Sequence, residues 1–320
     1  MDKLDRLLKA IDAIVKEEAD ELEEQISEFP AVDATLTAIE EYEKKVANLL
    51  RKQKKHFVNG INELIAKENT LGDILIYVTQ NLFASDEFAE EMGEETATFL
   101  ELTTSELTSA IMESIDEEVS FSILSKKTVD WIATWSKDLG KLMQLNTHTE
   151  VEAALAAAIE NGEGIPDAIK RLKDLPGFNR KRARATAITE ILTANSHSQH
   201  EAYRQSPAVT GKKWKHSGKK KNKPRPDHVD LNGTVVGVDE VFDVGGEKAQ
   251  YPRDTSLSAK QRVFCHCTMG PEIDNKILKL SKEEKEKLRD EAIKEADDAW
   301  LKDLDDKAKK KSDDGHKNNK

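Results

Sequence analysis

Two short stretches hold the residues of this chain best suited to chemistry: RPDHVDLNGTVV, residues 225–236, and VFCHCTMG, residues 263–270. They carry Arg225, His228, Asn232, Gly233 and both cysteines of the chain, Cys265 and Cys267. A disulfide between the cysteines is not expected, because one intervening residue closes too short a loop for relaxed disulfide geometry. His228, Cys265 and Cys267 are soft or borderline ligands, with His216, Asp227 and His266 available to complete a tetrahedral zinc site. One Cys-x-Cys pair with scattered histidines is a weaker pattern than two spaced cysteine pairs. The alternative therefore stands beside it: two small buried cysteines and a histidine bonded to backbone.

Two enzymatic readings use the same region. In a nuclease, His228 would be the general base, and Asn232 or a carboxylate would orient a metal or phosphate; SLSAKQRVF, residues 256–264, offers no second ligand-bearing element for this. In a transferase that grips a dinucleotide, paired acids would share one face of a strand. Asp239 and Glu240 are adjacent, so in a strand they point to opposite faces. Both observations count against an enzyme.

A basic segment precedes the cluster. From Lys170 to Arg225 there are sixteen Lys or Arg against three Asp or Glu, although the whole chain has a net charge of -12. The densest run places Lys212, Lys213, Lys215, Lys219, Lys220, Lys221 and Lys223 around Trp214. Such a stripe can neutralise phosphates of double-stranded DNA without reading bases, or it can dock acidic protein surfaces.

The elements that must position these residues are mostly helices. Aromatic residues make up 5% of the chain and charged residues 34%, a balance that suits extended helices with solvated faces. No proline falls between Pro30 and Pro166. Leu4, Leu8, Ile11, Val15, Ala19, Leu22, Ile26 and Phe29 form one apolar stripe, and Leu36, Ile39, Val46, Leu49, Phe57, Ile61 and Leu64 form a second. Further helices are expected near 71–83, 86–118 and 126–139, giving an antiparallel bundle or helical hairpins. No apolar run is long enough to span a bilayer, and the N-terminus lacks a signal-peptide core, so a soluble protein made in the cytosol is expected, with no membrane partner.

Beyond this region, Thr149 and Glu152 resemble a capping box, Pro166 suits the first turn of a helix, and a longer helix runs from RKRARAT toward Pro207. From about Thr210 a lysine-rich loop is expected, then short β-prone runs at Val235–Val236, Val241–Val244 and Arg262–Phe264. Ser281 and Glu284 form another capping box for a charged helix with Ile293 and Trp300 on its thin apolar face, and the last residues are expected to be disordered. The fold class expected is mainly α: long N-terminal helices over 1–148, a small irregular α+β module over 149–275, and a charged helix and tail over 276–320.

Trp214, RPDH at 225–228, LNG at 231–233, Phe242, Tyr251-Pro252 and CHC at 265–267, preceded by NGEGIPDAIKRL and RARATAITEILTANSHSQHEAY, form an ordered series. It resembles the C-terminal module of the Mu F-like minor head proteins of tailed phages, over roughly residues 150–270. The resemblance implies a head-morphogenesis role for a low-copy protein that is associated with the portal, carried into the head and implicated in DNA packaging or delivery. Portal, capsid or scaffolding proteins are the partners it implies, with host cytoplasm during assembly and the virion head interior as locations. It implies no catalysis and no cofactor apart from the zinc considered above. The family pattern often has arginine where Ile188 stands and asparagine where Phe264 stands. Both departures weaken the enzymatic alternative, a nuclease or an ADP-ribosyltransferase-like effector.

Overall fold

The computed structural model describes residues 21–65, 70–217 and 224–317. The fold is mainly α. The proline-free span forms α1 (Val32–Ile65), α2 (Leu71–Tyr77) with a π-helical turn at Val78–Leu82, α3 (Phe88–Ile115) and α4 (Lys126–Glu160). Leu22, Ile26, Phe29, Ile39, Val46, Phe57 and Ile61 are buried, as their helical spacing requires. Leu4, Leu8, Ile11, Val15 and Ala19 lie outside the described residues.

One expectation fails inside α4. Thr149 does not start a helix; its Oγ1 donates to the Leu145 carbonyl one turn back, within a continuous helix. The expected domain boundary at 148/149 therefore falls in the middle of α4. Among the described residues two compact units are present, one made of Thr37–Leu102 with Asp130–Ile191, the other of residues 21–36, Thr103–Val129 and the described residues from Leu192 to Lys317. Their divisions fall inside helices.

The first unit is helical. Its core gathers Phe57, Ile61, Ile74, Val78, Leu82, Leu155 and Phe178 with the short helix α5 (Ile165–Lys173), which carries Pro166 in its first turn. Gly140 of α4 faces the Ala89 carbonyl of α3 so closely that a Cβ would stand 2.3 Å from it; only glycine permits this crossing.

The second unit contains the α+β module. The C-terminal half of α6 (Arg180–Gln205) supports β1 (Val209–Lys215), α7 (Pro226–Asp230), β2 (Val235–Gly237), the hairpin β3 (Phe242–Val244) and β4 (Glu247–Ala249), the single turn α8 (Ala259–Arg262), and β5 (Thr268–Ile273). The main sheet is antiparallel with order β2-β1-β5, and Trp214 pairs with Met269. Gly245 and Gly246, both at positive φ, make the two-residue hairpin turn. Trp214, Phe242, Val244, Tyr251, Leu257 and Met269 fill one core with both cysteines. Burying an apolar side chain of this size contributes about 1.5–3 kcal/mol.

Three further expectations are corrected here. The first part of the lysine-rich stretch after Thr210 lies in strand β1, with Lys212 and Trp214 alternating inward and Lys213 and Lys215 partly exposed, while residues 218–223 lie outside the described residues. Arg262–Phe264 is not a strand, because α8 ends at Arg262 and Phe264 adopts φ 55°. The tail is helical as far as Lys317, with 318–320 outside the described residues: α9 runs from Lys282 to Lys317, capped by Ser281 and Glu284 as expected, with i,i+4 pairs such as Lys287–Glu291 and Asp303–Lys307 along it. Its first turns dock through buried Lys285, bonded to Asp116 and Glu118.

Candidate functional site

The supporting frame of the site is the buried face of α6. Residues 193–201 are buried throughout and, apart from Ala194, polar, and they contain neither lysine nor arginine. Several of their polar atoms reach specific partners, although neither ring nitrogen of His200 has one. Gln199 donates to Thr268 Oγ1 and accepts from the Met269 amide, which fixes the start of β5. Glu201 accepts from the Ser125 amide and from the hydroxyls of Ser125 and Thr128. His197 lies between the Thr128 hydroxyl at 2.8 Å and the Tyr251 hydroxyl at 2.7 Å. Burial in this frame holds His197 down to about 3 and drives His200 well below the ordinary histidine range.

Arg253 extends this frame to the cysteines. It is fully buried, and its guanidinium donates to the carbonyls of Cys265 at 2.6 Å and Cys267 at 2.8 Å and to Ser196 Oγ. Cys265 and Cys267 are two apart in an extended segment, so their side chains share one face. His228, on the single turn α7, meets them there. Its Nδ1 lies 3.4 Å from Cys265 Sγ and 3.5 Å from Cys267 Sγ, and ligand atoms of all three residues fall within 4.8 Å of one another. Trp214 packs edge-on against the imidazole, with ring centroids 5.6 Å apart. Both cysteines are free and buried. Hydrogen bonding from Cys267 draws the Cys265 thiol well down, and Cys267 is pushed up in turn.

The far side of His228 is occupied. Nε2 lies 3.0 Å from Gln261 Oε1, and Gln261 Nε2 donates at 3.0 Å to Asp227 Oδ2. Asp227, considered above as a ligand, thus stands behind Gln261. The remaining crevice is bounded by His216, Arg225, His228, Phe264, Cys265, His266 and Cys267 and has a volume of about 10 Å³. That space is on the scale of a single ion or water.

The other expected site residues divide in two. Arg225 joins the cluster by donating to the Val263 carbonyl at 2.6 Å, Asn232 accepts from the His216 amide at 2.9 Å, and Gly233 turns the chain at φ 84°. The basic segment fares differently. Lys212 and Trp214 are fully buried, Lys212 Nζ donates to Gln250 Oε1, and burial lowers its pKa to about 7, so neither residue lies on an exposed basic face. Lys213 pairs with Glu272 at 2.5 Å, and Lys215 lies over Gly270. Lys219, Lys220, Lys221 and Lys223 are outside the described residues. Asp239 pairs with Arg204, and Glu240 accepts from the Gly237 amide; they sit in a turn, not on a strand.

Sequence reasoning missed Gln261, Arg253 and Gln199. The signal available was the run TANSHSQHEA in α6, whose amides and hydroxyls, free of lysine and arginine, suit a buried polar frame better than a solvated face.

Residues 149–270 match the model of the phage Mu protein F like family, so this part of the chain is a Mu F-like module. The chain is also 49% identical over 301 residues to the uncharacterized protein YqbB of Bacillus subtilis (strain 168), covering 92% of this chain and 99% of that protein. No solved structure matches the chain. Among the described residues, no helix is long and apolar enough to cross a membrane.

Proposed function

We propose that this chain is a non-enzymatic minor head protein of a tailed phage or prophage. It binds the portal, enters the head interior during assembly in the host cytoplasm, and serves DNA packaging or delivery through contacts with portal and capsid or scaffolding proteins. The observation that carries this reading is the match of residues 149–270 to the phage Mu protein F like family. The non-catalytic part is supported by His228, whose two ring nitrogens are both engaged, leaving neither to activate a water. Protein contacts are favoured over DNA contacts because Lys212 and Trp214 are buried and Lys213 is paired.

The test is a binding experiment with the full chain and the portal protein encoded by the same phage or prophage, each purified separately. A complex that survives size-exclusion chromatography is the expected outcome. Metal-dependent cleavage of plasmid DNA, abolished by His228→Ala, would instead support a nuclease.

A further inference from the structure

The geometry points to a structural zinc ion held by Cys265, Cys267 and His228, with His216 as the fourth ligand. Zn–S bonds of about 2.3 Å and Zn–N bonds of about 2.0–2.1 Å at tetrahedral angles place sulfur and nitrogen about 3.6 Å apart. The observed separations from His228 Nδ1 to the two sulfurs are 3.4 and 3.5 Å. A hydrogen-bonding account is poorer, since the single lone pair on Nδ1 cannot serve two thiols equally.

The surroundings are built for a metal ligand. Gln261 Oε1 accepts from Nε2 and is itself held by the bond from its amide nitrogen to Asp227, so the imidazole proton is kept on Nε2 and the Nδ1 lone pair faces the sulfurs. Arg253 fixes both cysteine carbonyls, which locks the Cys-x-Cys segment with its sulfurs on one side. His216 borders the same crevice, and its backbone amide is pinned by Asn232, so a change of side-chain rotamer closes the tetrahedron. His266 borders the crevice too, with a buried and unpartnered Nδ1, but it stands between the two cysteines, so along an extended backbone its side chain leaves from the face opposite theirs. With four protein ligands the site is closed and stabilises the fold by tying the end of β1, α7 and the start of β5 together.

The experiment uses the full chain purified without chelator. Elemental analysis should find one zinc per chain, and the cobalt(II)-substituted protein should show thiolate charge-transfer and intense tetrahedral d–d absorption. In competition with a chromophoric chelator, His216→Ala should weaken zinc at least tenfold while His266→Ala leaves it unchanged; both positions are partly exposed, so the variants should fold. A chain that neither retains zinc nor binds added zinc overturns the proposal. So does unchanged affinity in a Cys265→Ser and Cys267→Ser double variant that keeps its helical circular dichroism. A loss at His266 with none at His216 overturns the assignment of the fourth ligand.

Discussion

Gln261 Oε1 stands 3.0 Å from His228 Nε2, and this amide decides which nitrogen of His228 faces the cysteines. The bond can be removed without touching a proposed ligand. Gln261→Ala frees the imidazole to change tautomer and rotate, so zinc affinity should fall about 10–100-fold, the range for lost partners of metal-bound histidines. Gln261→Glu restores an acceptor and should recover most of it. Chelator competition measures both, and equal affinities in all three proteins would show that Gln261 does not orient the ring.

Phe264 adopts φ 55° and is half exposed. A left-handed conformation costs an L-residue with a bulky side chain roughly 1–2 kcal/mol, whereas asparagine tolerates it. Phe264→Asn should therefore stabilise the module by about 1 kcal/mol, read as a higher urea midpoint. An unchanged or lower midpoint would mean that the contacts of the phenyl ring outweigh the backbone strain. The same φ accounts for the asparagine that the Mu F-like pattern often carries before its first cysteine.

This position also shows how far the sequence could be read. The helices were legible because their stripes are simple: Ile39, Val46, Phe57 and Ile61 recur at helical spacing and are all buried. The convergence of His228, Cys265 and Cys267 was legible from residue chemistry, and that of Arg225 from the resemblance to the Mu F-like pattern. What failed was local patterning that has two physical outcomes. Thr149 and Glu152 fit a helix cap, yet threonine satisfies itself equally well by bonding one turn back. Lys212 hid β1 because a charged residue occupies an inward strand position, its amine over the Phe242 ring and bonded to Gln250. The strand expected at Arg262–Phe264 was undone by a left-handed residue whose identity gave no warning.

His197 gives the fold a defined response to acid. Burial holds it down to about 3, chiefly against the pull of Asp254, so the folded protein keeps the ring neutral while the unfolded chain binds a proton below about pH 6.5. The unfolded state then carries more protons, and this histidine's contribution to stability falls with falling pH at about 1.4 kcal/mol per unit across that window. In His197→Gln, which can still bond Thr128 and Tyr251, the contribution is absent. Urea unfolding from pH 7 to pH 4 should show the difference between native and variant stabilities closing at that rate. Parallel curves would place the acid sensitivity elsewhere.

The central claim is that the chain is a component of the phage head, and it is tested most directly by quantitative mass spectrometry of gradient-purified heads from the phage or prophage that encodes it. The account predicts peptides from both the helical region and residues 149–270, at a few copies per portal ring and protected from protease until the heads are opened. Heads that contain portal and major capsid proteins in normal ratio but none of this chain would contradict it.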